Sequence, residues 1–168
     1  MQHLKPGNLI AVRSDETYHY FLILTDSAFF GCQWTYVFHA TSQILMDSET
    51  ILSSNPSGFT ALIDFIEERS NGKIVKMEKG IDVLPFLTFE HLRARIDEYN
   101  GAYTGRFLWF IYNKQFKILE KLEHLRTGQE KYPIGSGLKC RDAIKLIGKK
   151  YAMDFVFEVV SKGQFPLE

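Results

Sequence analysis

Leu9–Thr25 reads LIAVRSDETYHYFLILT, and Cys32–Thr41 follows as CQWTYVFHAT. The apolar run Leu9–Val12 leads into a polar turn, Ser14-Asp15-Glu16-Thr17, and Tyr18–Thr25 is rich in aromatic and β-branched residues. Such residues suit a pleated, half-buried surface, so each run predicts a strand. The loop Asp26–Gly31 separates them from the third strand, Cys32–Thr41. These connections are too short for crossovers. The strands must therefore run antiparallel, as a meander or as part of a small barrel. Pro6-Gly7-Asn8 supplies the turn that precedes the first strand.

Downstream, Ser53–Gly58 is a cluster of chain breakers. Phe59, Leu62, Ile63 and Ile66 then fall at i, i+3, i+4 and i+7, which predicts a helix ending at Ser70-Asn71-Gly72. Lys73–Met77 and Ile81–Leu84 predict short strands, the second stopped by Pro85. Thr88 can cap a second helix, with Phe89, Leu92, Ile96 and Tyr99 on one face and Asn100-Gly101 at its end. Phe107–Tyr112 is the most apolar strand, of the kind that occupies the middle of a sheet. Asn113-Lys114 turns it into a hairpin partner beginning at Phe116. A loop over Gly128–Gly137 precedes a third helix, Leu138–Lys150. Its apolar face is Cys140, Ala143, Ile144, Ile147 and Tyr151; its basic face is Lys139, Arg141, Lys145, Lys149 and Lys150. Phe155–Val160 predicts a last strand. Strands and helices mix without a βαβ rhythm. The class is α+β: a mainly antiparallel sheet or small barrel, with an N-terminal meander, a central aromatic hairpin and about three packed helices. Its 168 residues suit a single globular domain spanning 1–168.

The net charge is zero, but it is unevenly spread. Ser14–Glu68 contains no Lys and no Arg, and it carries Asp15, Glu16, Asp26, Asp47, Glu49, Asp64, Glu67 and Glu68. Residues 105–168 hold a surplus of five positive charges. An acidic half can pair with the basic half inside the molecule, or it can await a basic partner. Two cysteines, Cys32 and Cys140, are too few for a disulfide scaffold and suit buried, reduced thiols. Met1–Lys5 runs straight into Pro6-Gly7 without the apolar core of a signal peptide, and no apolar run reaches membrane-spanning length. A cytoplasmic protein without membrane contact is expected.

The five histidines (His3, His19, His39, His91 and His124) are scattered, and neither CxxC nor HExxH occurs, so no metal site and no cofactor are expected. Gly135-Ser136-Gly137 precedes the basic helix but lacks phosphate-loop spacing, and a plain turn is the simpler reading. Nucleic-acid contact through the helix around Lys145 is physically conceivable. The neutral total and the missing recognition motif weigh against it, so nucleic acid is not expected as a partner.

The turn Pro6-Gly7-Asn8 with its strand, followed by His19 and His39 in strands, loosely resembles the opening of lecithin:retinol acyltransferase-type and NlpC/P60-type thiol enzymes. That resemblance implies Cys140 as nucleophile with His19 or His39 as base. Cys140 is followed by Arg-Asp where Glu-His-Phe would be expected, and a small apolar role in the helix face is the simpler reading.

A pattern covering most of the chain resembles the immunity proteins of bacterial polymorphic toxin systems, in particular immunity family 26. Its parts are the glycine turn and strand Pro6–Val12, the second strand Tyr18–Leu24, the tryptophan strand Arg106–Asn113 running into Phe116–Leu122, and the helix Ala143–Tyr151. The chain departs from it at Arg13-Ser14 and matches little of it between Ser48 and Asn100. The resemblance implies no catalytic residues and no enzyme activity. It implies stoichiometric neutralisation of a cognate toxin domain, a nuclease for example, in contact-dependent inhibition or type VI secretion. The expected toxin-binding residues are Asp47, Glu49, Asp64, Glu67 and Glu68, because acidic groups complement a basic cleft and speed association.

Overall fold

The computed structural model describes residues 3–26, 32–53, 57–99, 103–129, 132 and 137–148. The chain forms two compact units, residues 1–86 with 138–152 and residues 87–137 with 153–168. The class is α+β with mostly antiparallel sheets, and among the described residues the sheets do not close into a barrel.

The first unit is built on a sheet in the order β5 (Ile74–Glu78), β1 (Leu9–Ser14), β2 (Thr17–Ile23), β3 (Gln33–Ser42), β4 (Gly58–Asp64) and β9 (Gly137–Lys139). The meander forms where the aromatic and β-branched runs place it: β1 Leu9–Ser14, β2 Thr17–Ile23 and β3 Gln33–Ser42, each antiparallel to the next. Asp15 and Glu16 both take positive φ (47° and 64°), the geometry of a two-residue turn whose twist matches the strands. Between β2 and β3, Phe21 faces Val37 while His19 faces Thr41. Phe38–Ala40 therefore lie opposite Tyr20 alone, a bulge in β3 that bends the strand locally.

The fourth strand replaces a predicted helix. β4, Gly58–Asp64, pairs along β3, with Trp34 opposite Leu62 and Val37 opposite Phe59. Phe59–Ile63 are all buried. A short apolar run buried on both faces satisfies a helical stripe and a strand equally well, and its length favours the strand. Only Ile66–Ser70 is helical (α2). Gly58 is required here, since a Cβ would collide with the Val37 carbonyl and the Tyr36 ring. The helix α1, Ser48–Ser53, forms where none was expected.

After α2 the chain returns along the far side of β1 as β5, Ile74–Glu78. The predicted strand Ile81–Leu84 does not form. Ile81 instead donates its N–H to the Gly7 carbonyl at 3.0 Å, Asp82 Oδ1 accepts from Leu84 N–H, and Leu84–Phe86 make a 3-10 turn around Pro85. Gly7 has φ +75°, and a Cβ there would lie 2.7 Å from the Ile81 carbonyl oxygen. Phe86 sets its ring edge-on to Tyr36 and Phe38, with centroids 5.1 and 5.8 Å away. Each such aromatic pair adds about 1 kcal/mol beyond area burial.

The predicted third helix is shorter. Gly137–Lys139 forms the edge strand β9, and α3 covers Cys140–Leu146. Cys140 and Ala143 are buried and Arg141 and Lys145 face outward, as the periodicity predicts, but Ile144 and Ile147 are only half-buried and Leu146, off the predicted face, is buried in their place. The expectations for Lys149, Lys150, Tyr151 and Phe155–Val160 lie outside the described residues.

The second unit holds a three-stranded sheet in the order β6 (His91–Tyr99), β7 (Tyr103–Asn113) and β8 (Ile118–Leu122). β7, Tyr103–Asn113, is central, as its apolar run predicts, and β8, Ile118–Leu122, is its hairpin partner. β6, His91–Tyr99, corrects the predicted second helix. Leu92, Ala94 and Ile96 alternate with Arg93, Arg95 and Asp97, a period of two that the good helix formers in this stretch obscure. Pairing with the aromatic β7 overrides that propensity. Arg93 is buried, with its guanidinium 5.3 Å from the Trp109 ring centre and Nε donating to the Tyr132 carbonyl at 2.9 Å.

Candidate functional site

Five acidic residues are expected to meet a partner, and the structure divides them between two helices. Asp47 caps α1: Oδ1 accepts from Thr50 N–H at 2.7 Å and Oδ2 from the Thr50 hydroxyl at 2.8 Å. These bonds favour the ionised form and hold the Asp47 carboxyl below its ordinary range, the Thr50 backbone contributing most. Glu49 is exposed in the first turn of α1. With Ser48, Leu52, Ser53 and Glu78 of β5, it lines an open depression of about 500 Å³.

The loop before α1 is fixed from below. The buried Tyr20 hydroxyl is hydrogen-bonded to Ser42 Oγ and accepts from Met46 N–H at 3.0 Å, while Ser42 Oγ donates to the Ile44 carbonyl at 2.6 Å. Both ends of the loop thus hang on one hydroxyl. The loop presents two large apolar side chains to solvent, Ile44 at 81 % exposure and Leu45 at 41 %.

The other three acids belong to the α2 region. Asp64 Oδ1 accepts from Ile66 N–H at 2.8 Å, opening the helix. Glu67 is exposed and lies 3.9 Å from Arg141 Nη1 of α3. Glu68 is buried, with Oε2 lacking a hydrogen-bond partner, and burial raises its pKa; neighbouring Glu67 and Asp64 push the same way. A buried carboxylate cannot meet a partner, so Glu68 leaves the contact surface. One contact between the acidic and basic segments, Glu67 with Arg141, is therefore internal.

The thiol constellation is not brought together. Cys140 is fully buried at the first residue of α3. Burial, then Glu68, Asp64 and Glu67, drive its pKa upward, the opposite of nucleophile activation. His39 lies at the other end of the helix, where Nδ1 accepts from Gly148 N–H at 3.0 Å. The helix between them, Cys140–Leu146, rises about 9 Å along its axis. His19 is buried in β2, Nδ1 has no partner, and burial lowers its pKa, with Asp15 opposing. Cys32 is also free, its thiol pushed up to about 11 by burial and by Asp64.

Sequence reasoning misses Gln33, which ties the first unit together. Fully buried, it donates through Nε2 to the Leu4 and Thr25 carbonyls, both at 3.1 Å, and accepts from Arg69 Nη2 at 2.7 Å. No local pattern marks it. Ile44 and Leu45 had a signal: an apolar run just before Asp47-Ser48-Glu49-Thr50, a helix-capping sequence.

Among the described residues no group of three or more His, Cys, Asp or Glu is placed to hold a metal ion. No described helix is long and apolar enough to cross a membrane. Compared with protein-family models, with curated proteins and with solved structures, the chain finds no match.

Proposed function

We propose that this protein is a stoichiometric inhibitor that binds the toxin domain of a cognate bacterial effector and protects the producing cell from within its cytoplasm. The observation that carries this reading is the juxtaposition of exposed apolar and acidic side chains on a loop and helix held in place. Ile44 and Leu45 run directly into Asp47 and Glu49. Binding energy at protein interfaces concentrates in apolar anchors, and charge complementarity sets association rate and partner choice. A toxin with a basic cleft, such as a nuclease, is the matching partner. The buried Cys140 gives a thiol hydrolase no comparable support.

The test starts from the reading frame immediately upstream, which is expected to encode a toxin-bearing effector and whose lack of one would count against the inhibitor reading; that toxin domain is then co-expressed with this protein. Restored growth and a purified 1:1 complex are expected. Cells that die despite full expression of soluble protein, with no complex formed, would overturn the reading.

A further inference from the structure

The acidic residues of the first unit are not equivalent. On the α2 side, Glu67 has Arg141 within 3.9 Å, Asp64 accepts the Ile66 N–H, and Glu68 is buried. Much of that charge is already answered within the fold. On the α1 side, neither Glu49 nor Glu78 forms an ion pair among the described residues, and both are exposed on the rim of the same open depression. Two carboxylates lining one cavity repel each other, and a cation between them relieves that repulsion. Leu52 gives the depression an apolar wall, against which the methylene stem of a long basic side chain can lie.

The second element is the apolar pair. Ile66 on α2 is an isolated exposed apolar side chain, which is ordinary. Ile44 and Leu45 are consecutive, and their loop is held on the Tyr20 hydroxyl at Ser42 and at Met46. A loop ordered before binding loses less conformational freedom on docking. The chain then continues without a break through Asp47, which caps α1, to Glu49 at the depression.

Resting on the inhibitor reading above, we propose that the toxin docks on the 42–49 loop and α1, and not on α2. One lysine or arginine of the toxin enters the depression between Glu49 and Glu78, and an adjacent apolar side chain covers Ile44 and Leu45. Association is guided by the two carboxylates, and the apolar contact slows release.

The experiment measures association and dissociation rates with the toxin domain encoded next to this reading frame. Three double variants are compared: Glu49→Gln with Glu78→Gln, Ile44→Ser with Leu45→Ser, and, as control, Asp64→Asn with Glu67→Gln. Thermal melting confirms that each remains folded. The Glu49/Glu78 pair is expected to weaken binding at least tenfold, mainly through slower association, and to reduce its salt dependence. The Ile44/Leu45 pair is expected to lose at least tenfold through faster dissociation. The α2 pair should stay within about threefold of the unaltered protein. Binding that survives both α1-side pairs, or a loss at the α2 pair as large as theirs, overturns this docking surface and leaves the inhibitor reading standing. An unaltered protein that does not bind the toxin removes both.

Discussion

Single side chains hold the first unit together at places no periodicity marks. Gln33 satisfies the carbonyls of Leu4 in the N-terminal segment and Thr25 just past β2, and the guanidinium of Arg69 in α2. Removing it leaves buried polar groups unpaired, which costs about 1–3 kcal/mol per group. Gln33→Ala should therefore destabilise the protein by about 3 kcal/mol, read as a lower denaturant midpoint at unchanged slope. A midpoint within error of the parent would contradict this role. His19 makes a pH prediction. Burial lowers its folded pKa from the ordinary 6.5, so the unfolded chain takes up a proton first as the solution is acidified. Stability contributed by neutral His19 is complete above 6.5 and is lost as pH falls from there through the depressed folded value. His19→Gln should flatten that part of the melting-temperature profile relative to the parent, and parallel profiles would count against it.

At the scale of elements, conformation and charge have each been set against stability in one place. The β1–β2 turn puts Glu16 at φ 64°, a region that costs an L-residue about 1–2 kcal/mol. Glu16→Gly should raise stability by about 1 kcal/mol, measured by chemical denaturation; a loss would show that the Glu16 side chain has a compensating role. In α2, Glu68 is a buried acid with a raised pKa, caused first by desolvation and then by Glu67 and Asp64, with Lys73 opposing. The folded chain holds this proton more tightly than the unfolded one. Stability therefore declines as pH rises from the ordinary carboxyl value through the raised folded value. Glu68→Gln should be more stable than the parent at neutral pH and equal to it in acid. A variant less stable at pH 7 would mean that the ionised group has a partner worth more than its desolvation cost.

The whole molecule has no net charge, yet one long segment is wholly acidic. For a partner with a basic cleft, association should slow about tenfold between low and high salt, because exposed charges are screened beyond roughly 10 Å at 0.1 M. Reversing Asp47, Glu49, Asp64 and Glu67 together should slow association at low salt and remove most of that salt dependence. Stopped-flow rates that do not respond to either change would exclude electrostatic steering. The internal contact of Glu67 with Arg141 means that part of this acidic surplus is spent within the fold.

The sequence by itself determined the antiparallel meander, the central aromatic strand and its hairpin partner, and the burial of Cys140 and Ala143 at the start of α3. In each, one strong local signal agrees with the final packing: strand-formers joined by short turns, a continuous apolar run, or a helical stripe. It also carried the uneven charge. Only tertiary structure decided that Phe59–Ile63 and His91–Tyr99 are strands, because pairing with β3 and with β7 outweighs helical spacing and propensity. Tertiary structure also buried Glu68, joined Gln33 to three distant groups, and hung the Ile44 loop on Tyr20. Contacts between residues far apart in the chain leave no periodic trace in it. Exposure is likewise a property of what neighbouring elements cover, and so the division of the acids into buried, internally paired and available ones came from the fold alone.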